Sequence, residues 1–528
     1  MRRLLLITLS PLLSLAAAPE GERWWSHIEF LASDKRMGRD TGSKGHKEAV
    51  AYLSARFKEI GLTPCGTKGF LQPVALVRRR IDEDKSSLEI VRNGAAEPLA
   101  LGSTAMFSLR LMSASPRPLD APAVFAGYAL TAKELSYDDF EGLDVKGKIA
   151  VFVSGSPASL PGPVRAHFSS TAERAKALRA AGAVGSISIT NPRSADIPWE
   201  RSVRSRLAPA MSLDDPTQED GRGLDLSASV NPAEADKLFA GSGHTVHDLF
   251  AAMDRGERLP RFTLPLSIRA RATIRVDRLV SDNVCGKLVG TGPESIALTA
   301  HIDHIGVGAA VNGDRIFNGA MDNASGIATM IEVARALKTR GAPGRSVLFV
   351  AVTAEEKGLL GSRHFAAHPT VPIEKMTANI NFDMFLPIHP MKHLMVLGLE
   401  ESTLRGPLEK VARDAGVAVQ ADPEPQRNRF IRSDQYSFIL RGVPAVALKV
   451  GYAPGSPEDK LQKEWTEKRY HAVGDDLAQP VDRDAAVLFN RIVENLAWIV
   501  AGADERPAWN EASFFRRFGV AAAATARP

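Results

Sequence analysis

The sequence predicts an α/β fold: a mostly parallel, doubly wound sheet interrupted by a smaller inserted α/β unit. Three observations carry this expectation. From Leu279 onward apolar strand-like runs alternate with amphipathic helical runs, the pattern of a parallel sheet covered on both faces. Between about 116 and 269 the texture changes, with short strands and an alanine-rich helix forming a βαβ-like unit of their own. Finally, 528 residues with 44% hydrophobic and 24% charged side chains give enough material for more than one domain.

The elements follow in order. A helix is expected over 44–60, where Ala49, Leu53, Phe57 and Ile60 form one stripe and Gly61 ends it. In the inserted unit Ile149 to Val153 and Ala183 to Ile189 read as strands around the helix Ala172 to Ala181, followed by amphipathic stretches from Pro232 and Val246. Past Leu279 the expected strands are 296–300, 346–352, 378–382 and 443–450, and the helices between them are 324–339 and 359–367.

Residues 1–18 read as an export signal. Basic Arg2-Arg3 precede an apolar run from Leu4 to Leu15, and Ala16-Ala17-Ala18 supplies the small residues of a cleavage site. The run is too short to cross a bilayer and contains Pro11, and no other stretch of spanning length stands out, so no stable membrane anchor is expected. An exported protein, periplasmic or secreted, follows. Losing Arg2 and Arg3 takes the formal charge from +5 to +3, too little to call for nucleic acid. The basic run Arg78-Arg79-Arg80 is offset at once by Asp82, Glu83 and Asp84. Cys65 and Cys285 exclude a disulfide-stapled scaffold and a thiolate zinc cluster; they could pair in an oxidising compartment, but buried free thiols are the expectation.

Five stretches place metal-ligand side chains just beyond the carboxyl ends of expected strands, where open α/β sheets build sites. They are His301-Ile302-Asp303, Met321-Asp322-Asn323, Glu355-Glu356, Asp383 and Tyr470-His471. Singly each has a plain structural reading. His301 could end a strand, Asp322 and Asp383 could cap helices, the two glutamates could sit at a helix N-terminus, and His471 could lie on a surface loop. Together, neutral imidazoles and carboxylates are the donors that suit zinc, and a shared carboxylate can hold two ions.

In order and flanks, Thr299-Ala-His-Ile-Asp-His-Ile-Gly306, Asn318-Gly-Ala-Met-Asp-Asn-Ala-Ser-Gly326, Thr353-Ala-Glu-Glu-Lys-Gly-Leu-Leu-Gly-Ser362, Asn381-Phe-Asp-Met384 and Tyr470-His-Ala-Val-Gly-Asp475 resemble the M28 metallopeptidases. Leu31-Ala-Ser-Asp34, Gly38-Arg39, Thr41-Gly-Ser43, Arg432 to Phe438 and Gly442-Val-Pro444 extend the likeness, with Gln435 where many relatives carry histidine. Phe125-Ala-Gly-Tyr128, Tyr137 to Phe140 and Val145 to Ile149 are similar to protease-associated domains.

The resemblance implies a sheet of the zinc-exopeptidase type and two zinc ions per chain. His301 and Asp383 would hold one, Glu356 and His471 the other, with Asp322 bridging. Glu355 would be the general base toward a metal-bound water, and Tyr470 would place its hydroxyl on the developing oxyanion. Asp303 and Asp475 are expected to orient His301 and His471. A cis Asp322–Asn323 peptide is implied as well.

The division that follows is signal peptide 1–18, peptidase domain 23–118 and 270–508, protease-associated insertion 119–269, and a flexible tail 509–528. Peptides are the expected substrates, and removal of N-terminal residues is the expected activity. The alternatives are a carboxypeptidase or dipeptidase of the same family, a glutaminyl cyclase-like transferase, and a non-catalytic binding protein.

Overall fold

The computed structural model describes residues 19–195, 197–215 and 223–519. The expected signal peptide lies outside the described residues, as does the end of the tail. The helix Lys44–Ile60 forms where expected: Ser43 Oγ accepts from His46 N, and Gly61 closes it with φ 80°. Its Ala49, Leu53 and Phe57 are fully buried. Phe57 lies against Gly286, where a Cβ would come within 2.6 Å of the ring. Truncating Phe57 to alanine would cost about 3 to 5 kcal/mol.

The first sheet has ten strands, and its centre explains where the site forms. Ser295–His301 pairs in parallel with Ser346–Val352 on one side and Met376–Asn381 on the other, and the latter pairs in parallel with Ala445–Gly451. The first three of these are buried along their whole length, the continuous apolar strand expected of a sheet covered on both faces. Their carboxyl ends therefore share one edge. Antiparallel pairs flank this core: Ile274–Leu288 pairs with Ser346–Val352 and with Leu71–Ile81, and His393–Leu397 pairs with Ala445–Gly451, beyond which Ala418–Ala421 adds in parallel. The sheet as a whole is thus mixed around a parallel core.

A second sheet of eight strands has its own parallel centre, Leu119–Ala126, Ile149–Val153, Gly185–Ile189 and Leu226–Val230. Ser87–Arg92, Ala95–Pro98 and Ala105–Phe107 also belong to it, so it starts at Ser87, ahead of the division drawn at 119. Ser87–Arg92 is placed by Arg261–Arg271, a partner far along the chain that no local pattern announces. Conversely, Ala210–Leu213 leaves this region to pair with Leu71–Ile81 in the first sheet.

Three expectations need correction. Cys65 and Cys285 form a disulfide, with Cα atoms 5.0 Å apart, because Thr63–Pro64 pairs beside Lys287 and Gly286 and brings the two together. The tail is docked as far as it is described. Phe515 is fully buried against Phe430 and Trp509, and Phe514 and Phe518 pack on His167. Aromatic spacing in a polar stretch gave no periodic signal of this. Finally, the 20-residue helix Arg483–Gly502 is long and apolar enough to span a membrane by length and composition. Here Phe489, Val493, Leu496 and Ala497 are buried within the hydrophobic core. Asn490 on the same buried face accepts from Thr329 Oγ1 at 2.8 Å.

Candidate metal centre

All five candidate ligands converge at the carboxyl edge of the parallel core. His301 ends its strand, fully buried, with Nε2 3.1 Å from Asp322 Oδ1 and 3.2 Å from Asp383 Oδ1. His471 Nε2 lies 3.3 Å from Asp322 Oδ2 and 3.2 Å from Glu356 Oε2. Asp322 thus stands between two sets of donors, one carboxylate oxygen toward each. Glu355, adjacent to Glu356, makes neither of these contacts.

The chain is held in this shape by groups that reach across sequence. Arg39, 1% exposed, donates to Ile302 O at 3.1 Å, Asn318 O at 2.7 Å and Gly319 O at 2.9 Å. It therefore pins the His301 and Asp322 stretches to one another. Neighbouring Gly38 has φ 66°, and a Cβ there would meet Phe317 O at 2.3 Å. The Asp322–Asn323 peptide is cis, as the resemblance implied. Asn323 Nδ2 donates to Phe382 O at 3.1 Å and its Oδ1 accepts from Gly326 N, which ties this turn to the one carrying Asp383.

Two supporting carboxylates act elsewhere than expected. The His301 Nδ1 partner is the main-chain oxygen of Asp303 at 3.1 Å, whereas the Asp303 carboxylate accepts from Thr41 Oγ1 and from Glu355 N. Its charge is thus spent on placing Glu355. Asp475 accepts from Met321 N at 2.9 Å and Asp322 N at 3.0 Å, so it holds the backbone at Asp322 and not His471. Gln435 is fully buried and bonded to Asn381 Nδ2 and Phe430 O, a purely supporting use of both amide atoms.

His304 was missed by sequence reasoning. It is fully buried, with Nδ1 2.7 Å from Glu356 Oε1 and 3.9 Å from Asp322 Oδ2. The 2.7 Å approach is off the line of a hydrogen bond, so both ring nitrogens and Glu356 Oε1 are without hydrogen-bond partners among the described residues. Its place in the same short stretch as His301 was the available signal. The Tyr470 ring packs on His471 with centroids 4.0 Å apart, and burial pushes its hydroxyl up to about 12.

Charge is concentrated here. Burial would lower the pKa of His301, but Asp383 and Glu355 outweigh it and raise the imidazole well above its ordinary value. His471 is raised likewise against its burial, chiefly by Glu356. Burial also raises the Glu355 pKa far above the usual carboxylate range, with Asp383 and Glu356 adding to it. For Glu356, burial is overcome by His471 and His304, and the group is held well below that range. Two adjacent acids are thereby driven in opposite directions by their surroundings.

The residues fit a pair of cations. Two donor groups, His301–Asp322–Asp383 and His304–Asp322–Glu356, each keep their ligand atoms within 4.8 Å, and Asp322 is common to both. Imidazole and carboxylate donors around a shared carboxylate suit zinc, and Glu356 Oε1, beside His304 Nδ1, makes no hydrogen bond among the described residues.

The model of peptidase family M28 matches residues 283–497, which hold all five candidate ligands. This stretch of the chain belongs to peptidase family M28. A probable leucine aminopeptidase 2 of Aspergillus oryzae is 30% identical over 211 residues, covering 37% of this chain and 40% of that protein. The Aspergillus fumigatus protein of that name is 29% identical over 232 residues, covering 41% and 44%. The match thus spans under half of these relatives' own length. The aminopeptidase from Aneurinibacillus sp. strain AM-1 superposes with a TM-score of 0.54 at 20% identity, over 92% of this chain and 95% of that one. The likeness of fold to that structure extends over both sheets.

Proposed function

We propose that the protein is an exported aminopeptidase that takes two zinc ions and removes N-terminal residues from peptides. The observation that carries the reading is Asp322, whose two carboxylate oxygens face two separate donor sets while Glu355 is left over. His301 and Asp383 would hold one ion, Glu356 and His471 the other. Zinc bound there would polarise the scissile carbonyl and lower the pKa of water at the site.

The remaining steps fall to the chain. Glu355, its pKa raised and its backbone fixed by Asp303, takes a proton from the attacking water and returns it to the leaving amine. The Tyr470 hydroxyl supports the developing oxyanion. The cavity beside Asp383, about 350 Å³ and lined by Met384, Leu386, Met395, Leu397 and Tyr452, receives the substrate's first side chain. The region of the second sheet acts as a protease-associated insertion, reaching the same cavity through Ala195 and Pro198.

The test is metal analysis of purified protein together with aminoacyl and peptide substrates followed by mass spectrometry. Two zinc equivalents and stepwise loss of N-terminal residues are expected. Release from the C-terminus would move the reading to a carboxypeptidase, pyroglutamate formation to a cyclase, and absence of bound metal would overturn it.

A further inference from the structure

The two proposed metal positions are built differently. His301 is the last residue of a central strand, and Asp383 follows another by two residues, with Phe382 N bonded to Thr299 O at 3.0 Å and Lys449 Nζ to Asp383 O at 2.7 Å. All of these partners lie in the first sheet. Glu356 and His471 lie in irregular turns. His471 has φ 52°, a conformation a residue with a Cβ adopts only when its surroundings hold it.

What holds these turns comes in part from the other region. Arg110, between the second-sheet strands Ala105–Phe107 and Leu119–Ala126, donates through Nη2 to Glu356 O at 2.6 Å. Arg201, on the short helix Trp199–Ser202, donates through Nη1 to Tyr470 O at 2.9 Å and through Nη2 to Glu467 O. Each guanidinium thus fixes a main-chain carbonyl, of a ligand in one case and of the residue before a ligand in the other. The Arg201 segment is itself anchored within that region, since Trp199 Nε1 donates to Ser103 O at 3.2 Å.

We propose that Arg110 and Arg201 are positioning residues through which the second-sheet region sets the affinity of the Glu356–His471 metal position, leaving the His301–Asp383 position independent of it. This rests on the two-zinc reading above. A backbone carbonyl held by a charged, planar donor keeps its peptide plane, and with it the direction of the ligand side chain. A ligand displaced by a few tenths of an ångström weakens its ion, as loss of an outer support commonly does.

The experiment is stepwise zinc titration of chelator-treated protein by calorimetry, with bound metal counted by mass spectrometry, for wild type, Arg110→Ala, Arg201→Ala, the double variant and Arg201→Lys. Wild type should take two equivalents. Each alanine variant should bind one of them at least tenfold more weakly, the double variant about 100-fold, with the other unchanged within twofold. Arg201→Lys should fall between, because it keeps one donor and loses the fork. Equal weakening of both equivalents, or none, overturns the inference while leaving the two-zinc reading in place. A wild type that takes fewer than two equivalents overturns the two-zinc reading, and the inference with it.

Discussion

Each sheet region buries carboxylates, and the two sets are treated in opposite ways. In the second, Asp139 is fully buried and accepts from Tyr128 N and Leu130 N at 3.1 Å and from Tyr137 Oη at 2.7 Å. In the first, Asp322, Glu355, Glu356 and Asp383 crowd one edge, and Glu356 Oε1 and both Asp434 oxygens are without hydrogen-bond partners among the described residues. A buried carboxylate whose acceptors are met escapes most of the penalty of burial, whereas one left with open acceptors costs stability until something binds. The difference teaches where to look: burial alone does not mark a site, but several buried carboxylates crowded together with unmet acceptors do.

The largest expected effect tests the first region. Glu355→Gln should lower turnover about 10² to 10⁴-fold with metal content unchanged, since the base is lost and no ligand is. Glu356→Gln should lose one metal equivalent and recover part of its activity in excess zinc. Kinetics beside metal stoichiometry decide it. If Glu355→Gln lost the metal and Glu356→Gln kept it, the two roles would be exchanged.

The second region should answer in stability alone. Asp139→Ala strands two buried amides and a buried hydroxyl, and at about 1 to 3 kcal/mol for an unmet buried group the variant should lose about 3 kcal/mol or more of unfolding free energy. Urea titration measures the loss, and kcat per folded molecule should stay within twofold. A large fall in kcat at full folding would place Asp139 in the catalytic machinery and break the contrast.

The same contrast explains what could be read from sequence. Strand-end candidates such as His301 and Asp383 were legible because one local pattern, an apolar run followed by a donor, gives both fold and position. Glu355 and Glu356 were separable only through family likeness, because their chemistry differs by surroundings and not by residue type. His304, the carbonyl partners of Arg39, Arg110 and Arg201, and the Cys65–Cys285 pair depend on contacts between distant segments. The same holds for the pairing that starts the second sheet at Ser87. Gln435 could be seen as a departure from relatives, yet its use in bonding Asn381 and Phe430 was not visible.

The smallest effect concerns a titratable group that lies close to the site but is fully partnered. His46 is 1% exposed, with Nε2 2.9 Å from Thr353 Oγ1 and Nδ1 3.4 Å from Ser281 Oγ. Burial, helped by the Arg39 charge, lowers its pKa from 6.5 to about 3. The folded protein therefore keeps the imidazole neutral, while the unfolded chain takes up a proton as pH falls through about 6.5. Below that pH the unfolded state binds more protons, so His46 should remove about 1.4 kcal/mol of stability per pH unit until pH approaches 3. Urea titrations at pH 4, 5 and 6 on wild type and His46→Asn measure this as the difference between their slopes, which cancels the other titrating groups. The variant should be less pH-sensitive by about one proton. Identical slopes would mean that His46 is charged or open to water in the folded state. Full partnering would then fail to separate structural from functional groups even one shell away from the site.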